Sequence, residues 1–212
     1  MAHLSAYLPW CAELDDRSAL VGEAMRLHDA HTLGHCARVS AISLCLGRLV
    51  GHAGRTLDTL MKAGLLHDVG KLSIDQKLLN APRAFTAEER ALVRLHPQHG
   101  FDLLEIADHD QFQEVSQIVL QHHEQWDGNG YPHALAGRDQ HPLARLLAVA
   151  DVFDALASPR AYKPGWPEER IRAHFSDQRA RQFDPELVDV LLDNYDACAQ
   201  ARATVPAIPS AW

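Results

Sequence analysis

Two histidine clusters carry the chemistry this chain can offer. One is His122-His123-Glu124, which runs into the glycine- and proline-rich turn Asp127-Gly128-Asn129-Gly130-Tyr131-Pro132. The other, His67-Asp68-Val69-Gly70-Lys71, lies upstream. Imidazole nitrogens and carboxylate oxygens bind divalent metals, and several together suit a hydrolytic site with more than one ion. His67-Asp68 closes the apolar run Leu60-Met61-Lys62-Ala63-Gly64-Leu65-Leu66, so the pair is delivered to the core or its rim. Buried there without a partner it would be costly, and a cation would satisfy it. Asp151 sits likewise between Leu146-Leu147-Ala148-Val149-Ala150 and Val152-Phe153. Spacing alone leaves two readings for these groups: metal ligation, or an acid paired with a basic side chain. Histidine is abundant, 14 in 212 residues, yet isolated copies such as His52 and His174 read as ordinary surface residues.

The elements that must position these groups are helices. Apolar residues recur mostly at helical spacing, and period-two alternation bounded by hairpin turns is missing, which predicts an all-α domain. Helices are expected over roughly 15–29, 32–50, 56–68, 87–96, 111–123, 142–157, 167–175 and 185–199. Thr86 with Glu89 forms a capping box, and Asp184 before Pro185 reads as an N-cap with proline at N1. The one long irregular stretch is 124–142, a length that usually marks a functional or mobile loop.

A chain of this length with 47% hydrophobic residues folds as one domain burying roughly 70% of its unfolded surface. The pattern divides it into an N-terminal helical extension over 1–30, a motif-bearing domain over 31–200, and a C-terminal tail over 201–212. The net charge of −8 argues against nucleic-acid polymers and anionic membranes as partners, so an anionic ligand needs local positive charge such as metals. Cys11, Cys36, Cys45 and Cys198 form no C-x-x-C pair, which fits a reducing cytosol and shows no thiol-based zinc site. Without an apolar run of about 18 residues, a soluble cytoplasmic protein is expected.

The ordered set of motifs resembles the HD-GYP family, the cyclic di-GMP-hydrolysing branch of the HD metal-dependent phosphohydrolases. It comprises His35 with Arg38-Val39, His67-Asp68-x-Gly70-Lys71, His96-Pro97-x-x-Gly100, His122-His123-Glu124-x-x-Asp127-Gly128-x-Gly130-Tyr131-Pro132, and Asp151-x-x-Asp154-Ala155. Ser158-Pro159-Arg160-Ala161-Tyr162-Lys163 and Phe183-Asp184-Pro185 also match, so the resemblance covers roughly residues 30–195. HD-x-GK alone is a common pattern; the HHE to GYP run in this order is specific.

The resemblance implies a catalytic domain over 31–200 with the metal site in its helical core. It implies metal ligands at His35, His67, Asp68 and Asp151, and further ligands at His96, His122 and His123 for a second ion. Two divalent ions bridged by Asp68 and by a water or hydroxide account for that set. Fe or Mn are expected foremost, with Zn, Ni or Co as alternatives. Where some members carry a glutamate that helps hold a third metal, this chain has His31, a supplementary ligand or a donor behind the ligands. Lys71, Arg160 and Lys163 match phosphate-contacting positions, and Lys71 is also placed to stabilise the leaving ribose oxygen. Gly130, Tyr131 and Pro132 form a rigid lip for substrate, Gly130 by adopting a backbone conformation closed to other residues. Glu124, Asp127 and Asp154 orient ligand rings or hold the loop.

The leading expectation is a phosphodiesterase that opens cyclic di-GMP to linear pGpG, with GMP as a further product. The rival within enzymes is another cyclic dinucleotide or nucleotide substrate. The rival outside them is a non-catalytic binding module that recruits protein partners through the GYP loop or the N-terminal segment containing Leu8, Pro9 and Trp10.

Overall fold

The helical periodicity becomes ten α-helices among residues 16–159 and 164–206, which the computed structural model describes. They are α1 (Asp16–His28), α2 (Ala30–Leu49), α3 (Arg55–Leu66), α4 (Gln76–Leu79), α5 (Ala87–Val93), α6 (His96–Gln121), α7 (Pro142–Ala157), α8 (Glu168–Gln178), α9 (Pro185–Asp193) and α10 (Tyr195–Ala203). Tight 3-10 turns span Val69–Ser73 and Gly137–Asp139. Among the described residues there is no sheet, only the isolated bridges Asp127 to Ala136 and Arg179 to Phe183. The all-α expectation holds. Arg160, Lys163, the N-terminal Leu8-Pro9-Trp10 and the tail beyond Pro206 lie outside the described residues.

The local start signals act as the sequence predicts. Thr86 accepts from the Glu89 amide while the Glu89 side chain accepts from the Thr86 amide, completing the capping box of α5. Asp184 caps α9 by accepting from the Glu186 amide, with Pro185 at N1. Two elements differ from the periodicity. The stretch after His96 is helical as far as Gln121, broken only by the non-helical backbone of Asp108, and the expected helix over 185–199 is two helices parted at Asn194.

Helix α2 is the axis of the core. Leu33, Val39, Ile42 and Leu46 are fully buried, and the helix packs against α1, α3, α7 and α10. Each such side chain contributes roughly 1.5–3 kcal/mol of burial. Met25 of α1 joins the same core. The boundary expected at residue 200 runs through α10, whose Tyr195 and Cys198 are buried.

Glycines set how closely the site-bearing segments approach. A Cβ on Gly64 would lie 2.5 Å from Cα of Ser40, so α3 crosses α2 in backbone contact just before His67. A Cβ on Gly70 would lie 1.9 Å from the His96 carbonyl oxygen and 2.5 Å from the Gly100 nitrogen. The turn carrying Asp68 and Lys71 is therefore seated directly on the first turn of α6.

Candidate metal centre

Three of the histidines stand where helices end or begin. His67 follows α3, His96 opens α6, and His122 follows α6. Each ring nitrogen Nδ1 donates to a carbonyl three residues back: His67 to Gly64 at 2.8 Å, His96 to Val93 at 2.7 Å, His122 to Val119 at 2.6 Å. A carbonyl only accepts, so Nδ1 holds the proton and Nε2 is left with its lone pair facing inward. His67 Nε2 is buried with no hydrogen-bond partner. His96 Nε2 and His122 Nε2 face each other at 3.3 Å, lone pair to lone pair. An arrangement of this kind repels itself until a cation stands between the nitrogens, so the residues fit divalent metal.

His35 and His123 complete a chain of five rings whose neighbouring centroids lie 4.0 to 5.3 Å apart. Asp68 and Asp151 face them. Asp68 approaches His96 Nε2 at 3.3 Å with one oxygen and His67 Nε2 at 3.5 Å with the other, which places it between two groups of nitrogens. Asp151 lies 2.9 Å from His35 Nε2, 3.9 Å from His67 Nε2 and 4.0 Å from His123 Nδ1. Ligand atoms of His96, His122 and His123 fall within 4.8 Å of one another, as do those of His35, His67 and Asp151. All seven sequence-predicted ligands thus come together.

Cys36 was legible only as the neighbour of His35. Its sulfur groups with His67 and Asp68 at the same spacing. Burial and the Asp68 charge push its thiol well above the ordinary range, so it remains protonated.

Charge divides the cluster. Burial, with His123 and Lys71, pushes His96 down to about 3 against the pull of Asp68. Burial also drives His123 down to about 4 and His122 well below the ordinary imidazole range, so these rings are neutral at pH 7. His35 behaves oppositely. Burial would lower it, but hydrogen bonds to Asp151 and Asp154 outweigh burial and raise it to about 9. Burial would likewise raise Asp68, Asp151 and Asp154, yet each is held below the usual carboxylate range. Lys71 and the imidazoles do this for Asp68, His35 for Asp151, and His35 with Arg38 for Asp154.

Asp154, fully buried one turn after Asp151, accepts from His35 Nδ1 at 2.8 Å. It also accepts from Arg38 Nε at 2.8 Å and, unexpectedly, from Arg202 Nε at 2.6 Å. Glu124 grips the loop through the amides of His133 and Leu135 at 2.7 and 3.0 Å. Asp127 is exposed and accepts from the Asn129 amide, so it shapes the turn and orients no ring. Lys71 Nζ donates to Asp68 at 2.6 Å. Its ammonium is held charged, because Asp68 outweighs the lowering by burial. His31 is exposed on the rim of the cleft, outside the described ligand groups, with its amide bonded to the Asp29 cap.

The lip requires one correction. Gly130 does not have a positive φ; Gly128 does, at 80°. Gly130 is required by space instead, since a Cβ there would lie 2.3 Å from the Gln125 nitrogen and 2.4 Å from Cα of Glu124. Tyr131 stacks on His123 with centroids 4.9 Å apart, and Arg94 lies 5.0 Å from its ring centroid. The Tyr131 to Pro132 peptide is cis and Pro132 is exposed. A cleft of about 1040 Å³ opens over the cluster, lined among others by His35, Asp68, Lys71, His123, Tyr131 and Asp151. Its far wall, 79–85, and Gln182 were not marked by the motifs. Among the described residues, no helix is long and apolar enough to cross a membrane.

A model of the HD domain family matches residues 19–187. The 3'3'-cGAMP-specific phosphodiesterase 2 of Vibrio cholerae is 37% identical over 186 residues, 88% of this chain and 36% of that protein. The cyclic di-GMP phosphodiesterase response regulator RpfG of Xanthomonas campestris pv. campestris is 36% identical over 81% of this chain and 46% of that protein. The chain thus spans less than half the length of these curated relatives. Among solved structures, Bd1817, a HDG"Y"P protein from Bdellovibrio bacteriovorus, superimposes with a TM-score of 0.63 at 26% identity, over 76% of this chain and 51% of that one.

Proposed function

The chain belongs to the HD-GYP branch of the HD domain family, and on that premise we propose that it is a metal-dependent phosphodiesterase of cyclic dinucleotides, with cyclic di-GMP opened to linear pGpG. The observation that carries the reading is the set of inward Nε2 atoms on His67, His96 and His122, each ring held by its Nδ1, with Asp68 between them. His35, His67, Asp68 and Asp151 would hold one divalent ion, and His96, His122 and His123 with Asp68 a second. Fe or Mn are proposed foremost, although mixed nitrogen and oxygen donors also suit Zn, Ni or Co. When bound, such ions supply Lewis acidity that activates water and neutralises phosphate charge.

The chain's own groups do the rest. Lys71, charged and a quarter exposed in the cleft, is a cation for the phosphate and for the ribose oxygen as it leaves. Arg160 and Lys163 are assigned to the phosphates on the strength of the motif. Tyr131 borders the cleft with Gly130 and Pro132 as a stiff lip, and Glu124 keeps that lip in place by fixing the His133 and Leu135 amides. His31 stands at the rim as a supplementary ligand or hydrogen-bond donor. Three ions per chain, falling to two in His31→Ala, would replace the binuclear reading.

A second substrate, 3'3'-cGAMP, is favoured by the Vibrio cholerae relative named for it. Metal-loaded protein, prepared anaerobically with Fe(II) or with Mn, is given both dinucleotides side by side. Linear product from cyclic di-GMP is expected. Linear product from cGAMP alone would reassign the substrate, and none from either would remove the activity.

A further inference from the structure

We propose that Arg202, on α10, is a positioning residue for the His35 side of the metal centre and acts through Asp154. The inference rests on the metal centre proposed above and is independent of which dinucleotide is the substrate. No motif marks Arg202; it lies beyond the stretch on which the family resemblance rests.

Asp154 is fully buried and collects donors on both oxygens. Oδ2 accepts from His35 Nδ1 at 2.8 Å, Arg38 Nη2 at 3.0 Å and Ser158 Oγ at 3.1 Å. Oδ1 accepts from Arg38 Nε at 2.8 Å and Arg202 Nε at 2.6 Å, and Arg202 Nη2 reaches Ser158 Oγ at 2.9 Å. These donors differ in what they can fix. Arg38 stands three residues after His35 on α2, so it moves with the ring it would have to orient. Ser158 stands just past the end of α7, one turn after Asp154. Among the described residues, Arg202 alone reaches the carboxylate from a third element, and α10 is anchored by the buried Tyr195 and Cys198.

The consequence passes through one proton. Asp154 receives Nδ1–H of His35, which leaves His35 Nε2 as the nitrogen facing Asp151 and the other ligands. Groups that hold a ligating imidazole by its far nitrogen set its orientation, and losing them typically weakens metal binding about 10–100-fold. Without Arg202, Oδ1 has only Arg38, and the carboxylate can swing with α2. Arginine is required because its planar fork spans Asp154 and Ser158 together, which a lysine ammonium does not.

The test is Mn(II) binding to the metal-stripped full chain, measured by competition with a chromogenic chelator. In Arg202→Gln one of the two ions is expected to bind about 10–100-fold more weakly, the other within about twofold of wild type. Arg172→Gln serves as control. It removes the hydrogen bond to the Leu192 carbonyl and the contact over Tyr195, which loosens the seat of α10 without touching Asp154. It is expected to lower the melting temperature and leave both affinities unchanged. If Arg202→Gln does not fold, Arg202→Lys carries the test by the same criterion. Folded Arg202 variants that keep both affinities would overturn the inference, as would an equal loss in Arg172→Gln. A wild-type chain that binds no ion would overturn the metal centre and this inference with it, whereas metal binding without dinucleotide turnover would leave this inference standing.

Discussion

His96 and His122 donate Nδ1–H to carbonyls of their own segments, whereas His35 is gripped on both ring nitrogens by carboxylates from α7. The first side of the centre is therefore built by short-range structure: fold the end of α5 and α6, and the ring orientation follows. The second is built by tertiary structure, because α2, α7 and α10 must all dock before His35 points correctly. Charge follows construction. His96 and His122, bonded to main chain, are neutral rings, whereas His35, bonded to carboxylates, is a raised imidazole among depressed acids. Rings gathered at one place are thus aimed by two routes, one of which can form without distant help.

Asp68 is where the contrast is broken most directly, since its two oxygens face the two sides. Asp68→Ala is expected to lower turnover at least about 10³-fold, because metal contributes several kcal/mol and each 1.4 kcal/mol is tenfold. Metal analysis should show both ions weakened; retention of one at full affinity would mean that the sides are independent.

Gly130→Ala probes the side bonded to main chain alone. Its methyl meets the backbone of Glu124 and Gln125, and overpacking of this kind costs about 1–3 kcal/mol. Displacing His123 and the lip by even an ångström is expected to lower kcat/KM about 10²-fold. The readout is kcat/KM beside the melting temperature, and unchanged kinetics would separate the loop from the centre.

The charge contrast is sharpened by pH, on metal-stripped protein. His96 and His123 have folded values near 3 and 4 against 6.5 when unperturbed, so the unfolded chain takes up their protons first and stability falls as pH drops below about 6.5. The depressed Asp68 and Asp151 add to this acid limb at lower pH. His35 lies near 9, so its contribution is complete below 6.5 and is lost as pH rises through 9. Melting temperatures from pH 4 to 10 should therefore peak near 6.5. His35→Asn is expected to flatten the alkaline limb, to keep the part of the acid limb set by His96 and His123, and to weaken the part at lower pH that Asp151 contributes; a flat wild-type profile would remove the charge difference.

The smallest effect is expected at Tyr131. Its stacking on His123 and its contact with Arg94 are worth about 0.5–1.5 kcal/mol, so Tyr131→Ala should change kcat/KM by tenfold or less. A larger change, appearing in KM, would make the ring a contact of the substrate.

Which histidines and aspartates gather at one place is readable in this sequence, because metal chemistry admits few residue types and the motifs keep their order. The helix starts at Thr86 and Asp184 are readable for a similar reason, as capping is local. What pattern does not reveal depends on distant contacts. The first half of α6 has a narrow apolar face, with Leu104 buried but Ile106 largely exposed, and is held by its seat on Gly70. The periodicity over 185–199 runs straight through Asn194, whose side chain donates to the Val190 carbonyl. Arg202 carries no signature at all, because its role exists only once α10 has docked.

The contact between Gly70 and the His96 carbonyl has a consequence for metal exchange. Peptide rests on peptide there, leaving no side chain to yield, so the separation between the Asp68 and His96 backbones is a fixed stop. Ions of different radius must be accommodated by rotation of imidazoles and carboxylates on an unmoving frame. Tolerance toward different metals would then be decided by torsional slack in the side chains.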